Sequence, residues 1–152
     1  MRPSSLGYIR VSAKEIDGWR AFATSLLGLQ VVDKSQKTIA FRMDNYAQRI
    51  LVESDGGSTI NAYGWEMDSA VDLDAMAAQI EKAGHKVDKG TRALAEERMV
   101  KDLIYTIDPA GNRVEFYHGP TMAKDAFVPS RNISGFRTEG IGLGHAVLHT
   151  PS

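Results

Sequence analysis

The chain has 152 residues, 18 Lys+Arg against 19 Asp+Glu, a formal net charge of −1 and 43% hydrophobic residues. That is the size of one domain with a core of its own, and the balanced charge gives no electrostatic reason to expect nucleic acid or an anionic membrane as a partner. Cysteine is absent, which excludes disulfides, thiolate zinc sites, iron–sulfur clusters and cysteine nucleophiles, so any metal site must use His, Asp or Glu and suits harder ions such as Fe(II), Mn(II) or Mg(II).

The first apolar run, Leu6–Val11, is short and β-branched and reads as a strand. Ser12 followed by Glu15 has capping-box spacing, and Ile16, Trp19, Phe22, Leu26 and Leu27 recur at helical spacing up to Gly28. A helix over about 13–27 is expected, with Trp19, Phe22 and Leu26 as a stripe packed into the core. Strands follow at Leu29–Asp33, Thr38–Met43 and Arg49–Glu53, punctuated by the turn residues Asp44-Asn45 and Asp55-Gly56-Gly57. The first third is therefore β-α-β-β-β.

The pattern then restarts. Asn61–Met67 reads as a strand, Ser69 with Asp72 as a cap, and Leu73, Met76, Ala77 and Ile80 as the apolar face of a helix stopped by Gly84. A shift of 56 positions lays Tyr8 on Gly64, Gly28 on Gly84 and Val31 on Val87. The mixed-charge run Arg92–Asp102 is read as a solvated or partner-facing loop. Leu103–Ile107 and Arg113–His118 are strands joined by the tight turn Asp108-Pro109-Ala110-Gly111-Asn112. Residues 1–118 are thus expected to form an α+β domain of two tandem βαβββ modules.

Residues 119–142, rich in Gly, Pro and Ser, read as a connector. Beyond it, Leu143–Leu148 lays on Leu6–Val11 at a shift of 137, so 143–152 are expected to be the first strand of a further, truncated unit. No run of 18 apolar residues exists and Met1–Ser5 lead into no signal-type segment, so a cytoplasmic setting is expected. Gly140-Ile141-Gly142-Leu143-Gly144 lacks the strand before and helix after that a nucleotide-binding loop requires.

Paired modules with an Asp-Pro-x-Gly-Asn turn ahead of a Glu-bearing strand resemble the vicinal oxygen chelate superfamily. Within it the chain resembles the amino-terminal half of the two-domain extradiol ring-cleaving dioxygenases. The residues that carry this are Leu6-Gly7-Tyr8, Glu97-Arg98-Met99-Val100, Asp108–Phe116, Phe127-Val128-Pro129, Ile133–Thr138 and Gly142-Leu143-Gly144-His145. The resemblance implies a parent enzyme that opens a catechol-type, bicyclic or steroid-derived diol with O₂ at a non-haem Fe(II), with Mn(II) as the other candidate metal. His145 would be the first iron ligand, and Val147, on the same strand face, a wall of the substrate pocket; His149 shares that face or lies exposed. The implied partners are a carboxy-terminal catalytic domain, a small aromatic diol and further copies of the chain.

The resemblance also implies that Tyr8, Gly64 and Glu115 stand at the three ligand positions within residues 1–118. Only Glu115 remains of the ligand set, and one carboxylate cannot hold Fe(II) at useful affinity, so no catalytic residue, cofactor or iron is expected in residues 1–134, and the chain alone is expected to be inactive. Glu115 is expected to be a buried, hydrogen-bonded carboxylate or a solvated strand residue rather than a relict ligand. The alternative is a metal-free ligand-binding or resistance-type module of the same superfamily.

Overall fold

A computed structural model describes residues 1–148 and 150. Its strands are β1 (Ser5–Ala13), β2 (Gln30–Asp33), β3 (Thr38–Arg42), β4 (Ile50–Ser54), β5 (Thr59–Glu66), β6 (Asp88–Lys89), β7 (Val100–Ile107) and β8 (Arg113–Pro120). The helices are α1 (Asp17–Ala21), which continues as a π-helical stretch over Phe22–Leu27, α2 (Ala70–Lys82) and α3 (Arg92–Arg98). All eight strands join one sheet in the order β2-β3-β4-β1-β5-β8-β7-β6. The order is a mirror sequence: each module's first strand lies at the centre and its second strand at an edge, as a tandem duplication requires. Gly28 and Gly84, which the 56-residue shift superposes, both take left-handed φ, +84° and +86°, at the ends of equivalent helical segments. The α+β class and the two βαβββ modules expected from the sequence are the observed architecture.

The two faces of the sheet are covered differently. On one face Val11, Ala13, Ile39, Phe41 and Val52 pack with Ile16, Ala23 and Leu29 of the α1 segment. Leu73 and Met76 of α2 pack with Met67 and Ile104 on the second module. On the opposite face Tyr8, Leu103 and Tyr117 pack with Ala95 of α3. Alternation puts Ile9 and Val11 on the first face and Tyr8 on the second.

Three local expectations are corrected. Ser12 does not cap α1: it stays in β1, where its hydroxyl donates to Asp55, and the helix starts later, with Glu15 accepting from the Gly18 N–H at 2.9 Å. The stripe Trp19–Phe22–Leu26 is only partly core. Trp19 packs against it, but Phe22 and Leu26 are 45% and 57% exposed, because the π-helical stretch turns them outward while burying Ala23. The mixed-charge run is not a loop. Arg92–Arg98 is a helix capped by the Thr91 hydroxyl, and it buries Ala95 and Arg98.

The segment read as a connector folds back on the first module. The Thr121 carbonyl accepts from Ala47, Ser130 N–H donates to the Gly28 carbonyl at 3.1 Å, and Phe136 packs on the first core. Gly142 forms a bridge to Leu6 with φ of +59°, where a Cβ would run into the Leu6 carbonyl, so only glycine fits. After Leu143, whose N–H donates to the Leu6 carbonyl, the described residues pair with no strand. A single strand has no ladder partner there. Among the described residues no helix is long and apolar enough to cross a membrane.

Candidate functional site

The central strands set three residues in one row. In the β1–β5 ladder Tyr8 is opposite Gly64, and in the β5–β8 ladder Gly64 is opposite Glu115. Opposed residues point to the same face, here the α3 face. A Cβ on Gly64 would run into the Tyr8 ring, so the bare glycine is what lets the phenol cross β5 towards Glu115. The Tyr8 hydroxyl donates to Glu115 Oε2 at 2.6 Å, and its ring stacks on Tyr117 with centroids 4.9 Å apart.

Helix α3 supplies the remaining partner. Arg98 donates through Nε to Glu115 Oε2 at 2.9 Å and through Nη2 to Oε1 at 3.2 Å, a forked pair. Arg113, two residues before Glu115 on β8, donates through Nε to Oε1 at 2.7 Å. Arg98 also pairs with Glu97, whose carbonyl accepts from Gln48. Glu115 has no exposed surface and Arg98 is 4% exposed. A carboxylate offers about four lone-pair directions. Tyr8, Arg98 twice and Arg113 take them all.

Burial alone would push the Glu115 carboxyl up, but the Arg98 guanidinium beside it, with the Tyr8 and Arg113 hydrogen bonds, holds it below its ordinary value. Burial, then the charge of Glu115, pushes the Tyr8 phenol well above 10, so it stays a donor. Burial opposes the charge on Arg98, yet Glu115 keeps that charge in place and raises its pKa. A second polar group lies at one end of the sheet, where the Tyr46 and Tyr117 hydroxyls both donate to Glu66. Burial and the Glu66 charge push Tyr46 up to about 12.

The residues implied as iron-side groups lie elsewhere. His145 is exposed beyond the Gly142 bridge and Val147 is 92% exposed; His149 lies outside the described residues. Of the other histidines, His85 is exposed after Gly84, and His118 Nε2 lies 3.5 Å from Asp102. No group of three or more His, Asp or Glu able to hold a metal together occurs among the described residues.

The sequence is 37% identical over 146 residues to a 1,2-dihydroxynaphthalene dioxygenase of Pseudomonas sp. (strain C18), covering 94% of this chain and 48% of that protein. It is 32% identical over 148 residues to a biphenyl-2,3-diol 1,2-dioxygenase of Sphingomonas paucimobilis, covering 95% of this chain and 50% of that one. Residues 6–54 match the family model "Dihydroxybiphenyl dioxygenase BphC D1". A solved catechol 2,3-dioxygenase superposes with a TM-score of 0.89 at 35% identity, over 93% of this chain and 51% of that one. The chain has the fold of the extradiol dioxygenases, and residues 6–54 match the model of their first domain. It spans about half the length of the curated relatives it matches.

Similarity to dioxygenases makes a metal centre the natural question, and the Tyr8–Gly64–Glu115 row does not fit one. It offers a protonated phenol, a residue without a side chain and a carboxylate whose oxygens are already engaged. Of the cluster, the sequence reading set Tyr8, Gly64 and Glu115 together, but it held Arg98 and Arg113 only as parts of resembling motifs and did not place either at Glu115. The signal was present: Arg92-Ala93-Leu94-Ala95-Glu96-Glu97-Arg98 consists wholly of strong helix formers and follows a Thr that can cap.

Proposed function

We propose that this chain is the non-catalytic first domain of an extradiol dioxygenase that opens a catechol-type aromatic diol, bicyclic or steroid-derived, with O₂ at a non-haem Fe(II). Mn(II) is the other candidate metal for such a centre. The observation that carries this reading is similarity along nearly the whole chain, 94% of it, to diol dioxygenases about twice as long. In this reading His145 supplies one imidazole to an iron whose other ligands belong to a carboxy-terminal unit, and Val147 borders the diol. One imidazole cannot hold Fe(II) by itself, since such centres take two histidines and a carboxylate. The work of residues 1–118 is then mechanical. A rigid eight-stranded sheet offers the following unit a fixed base, and residues 119–142 lead the chain along that base to His145. Further copies of the chain are its proposed partners, nucleic acid is not among them, and the cytoplasm is the proposed compartment.

The test is turnover. Incubating the 152-residue chain with Fe(II), O₂ and 2,3-dihydroxybiphenyl should give no coloured ring-fission product. In a longer protein that contains this chain and is active, His145→Ala should abolish both the product and the bound iron. Turnover by the 152 residues alone, or a His145→Ala protein that keeps its iron, overturns the reading.

A further inference from the structure

The three central strands β1, β5 and β8 point Tyr8, Gly64 and Glu115 at one place on the α3 face, and a cation is already there. We propose that the Arg98 guanidinium is the resident cation of this row, standing where a metal ion would need to sit and closing the module pair to divalent metals. Three observations carry it. The first is saturation, because both Glu115 oxygens accept two hydrogen bonds each: Oε2 from Tyr8 and Arg98 Nε, Oε1 from Arg98 Nη2 and Arg113. A metal could bind only by expelling a donor. The second is charge. Glu115 and Glu97 face Arg98 and Arg113, two anions against two cations. Only Glu115 and Arg98 of the four are buried, and a divalent ion added beside that neutral pair would bring two uncompensated positive charges into low-dielectric surroundings, which strongly disfavour them.

The third observation is that the backbone is bent to deliver Arg98. The next residue, Met99, takes φ of +58°, and it is the one non-glycine residue in the left-handed region among those described. A side-chain-bearing residue held there is strained, and such strain persists only where the surroundings over-determine it. Here α3 must stop at once so that β7 can start at Val100 while Arg98 still faces the sheet. The helix is therefore a plug whose last turn carries the cation. The sequence of the plug and the row of three strand residues form one device: a glycine to admit the phenol, a phenol and a guanidinium to saturate the carboxylate.

The experiment uses the whole chain and needs no catalysis, so it stands or falls apart from the dioxygenase reading. Mn(II), the probe, is titrated into the native and Glu115→Gln chains and followed by electron paramagnetic resonance. Thermal melts are compared for native, Arg98→Met, Arg98→Lys and Arg98→Met/Glu115→Gln chains. The native chain should bind no Mn(II) in a Glu115-dependent way. Arg98→Met should lower the Tm by on the order of 10 °C, because it takes from a buried carboxylate its buried counter-charge and two of its four hydrogen bonds, leaving Tyr8 and the partly exposed Arg113. Adding Glu115→Gln should restore a large part of that loss, since the amide needs no counter-charge. Arg98→Lys, which keeps the charge but not the fork, should melt between native and Arg98→Met. If Arg98→Met does not fold, folding of Arg98→Met/Glu115→Gln or of Arg98→Lys supports the proposal, and failure of all three overturns it. So do one equivalent of Mn(II) bound by the native chain and lost in Glu115→Gln, Arg98→Met melting with the native chain, or no recovery in the double variant.

Discussion

At Glu115 burial and charge pull in opposite directions, and charge wins because each oxygen has two donors. A carboxyl whose folded pKa lies below its unfolded value, about 4.3 for Glu, stabilises the fold fully above that value. It loses that contribution as the pH falls through the folded pKa. Removing one donor narrows the gap between the two pKa values. Tyr8→Phe keeps the ring that stacks on Tyr117 and deletes the 2.6 Å bond to Oε2. A hydrogen bond to a charged group contributes about 1.5–3 kcal/mol. The expected outcome is lower stability at neutral pH and acid unfolding that begins at a higher pH, followed by far-UV circular dichroism from pH 7 to pH 2. Identical acid-unfolding curves for native and Tyr8→Phe chains would show that the phenol does not hold this carboxylate.

At the scale of elements, α2 shows how a helix start written in the sequence is used. Ser69 is its extended N-cap; the hydroxyl accepts from the Asp72 N–H at 3.1 Å and donates to the Asp72 carboxylate at 2.6 Å. Ser69→Ala should cost about 1 kcal/mol in urea unfolding, with an unchanged m-value. A cost near zero would mean that packing of Leu73 and Met76 alone sets the start of the helix. This cap, the turn at Asp108–Asn112 and the repeat were legible because each depends on local spacing or on the repeat period, and the row of Tyr8, Gly64 and Glu115 was legible only through the family resemblance taken together with that repeat. Other features turn on partners remote in sequence. The Ser12 hydroxyl is taken by Asp55 from across the sheet, so the same Ser-x-x-Glu spacing gives no cap. Arg98 sits in a run whose charges read as solvated, and only the fold places a buried carboxylate 17 residues away against it. Phe22 and Leu26 follow helical periodicity, yet the widening of α1 into a π-helical stretch rotates them to the surface.

At the scale of the molecule, the junction between the modules is the middle of the sheet. β1 and β5 pair antiparallel from Ser5 opposite Glu66 to Ser12 opposite Thr59, and each also pairs parallel with the last strand of its own module, β4 or β8. Neither module can leave without stripping one side of the other's central strand of its hydrogen bonds. The chain adds a second tie, since Thr121 and Ala123, just past β8, bond to Ala47 and Asn45 of the first module. A shared ladder and a shared strap leave no weak seam, and small domains without one unfold in a single step. The two tryptophans make this measurable, for Trp19 lies on α1 of the first module and Trp65 on β5 of the second. In urea, Trp19→Phe leaves a reporter in the second module and Trp65→Phe leaves one in the first. In each variant the fluorescence midpoint should coincide with the circular dichroism midpoint of the same protein. A fluorescence transition displaced from the circular dichroism transition, in opposite senses in the two variants, would instead mean that the modules unfold in turn and that the β1–β5 ladder is a hinge.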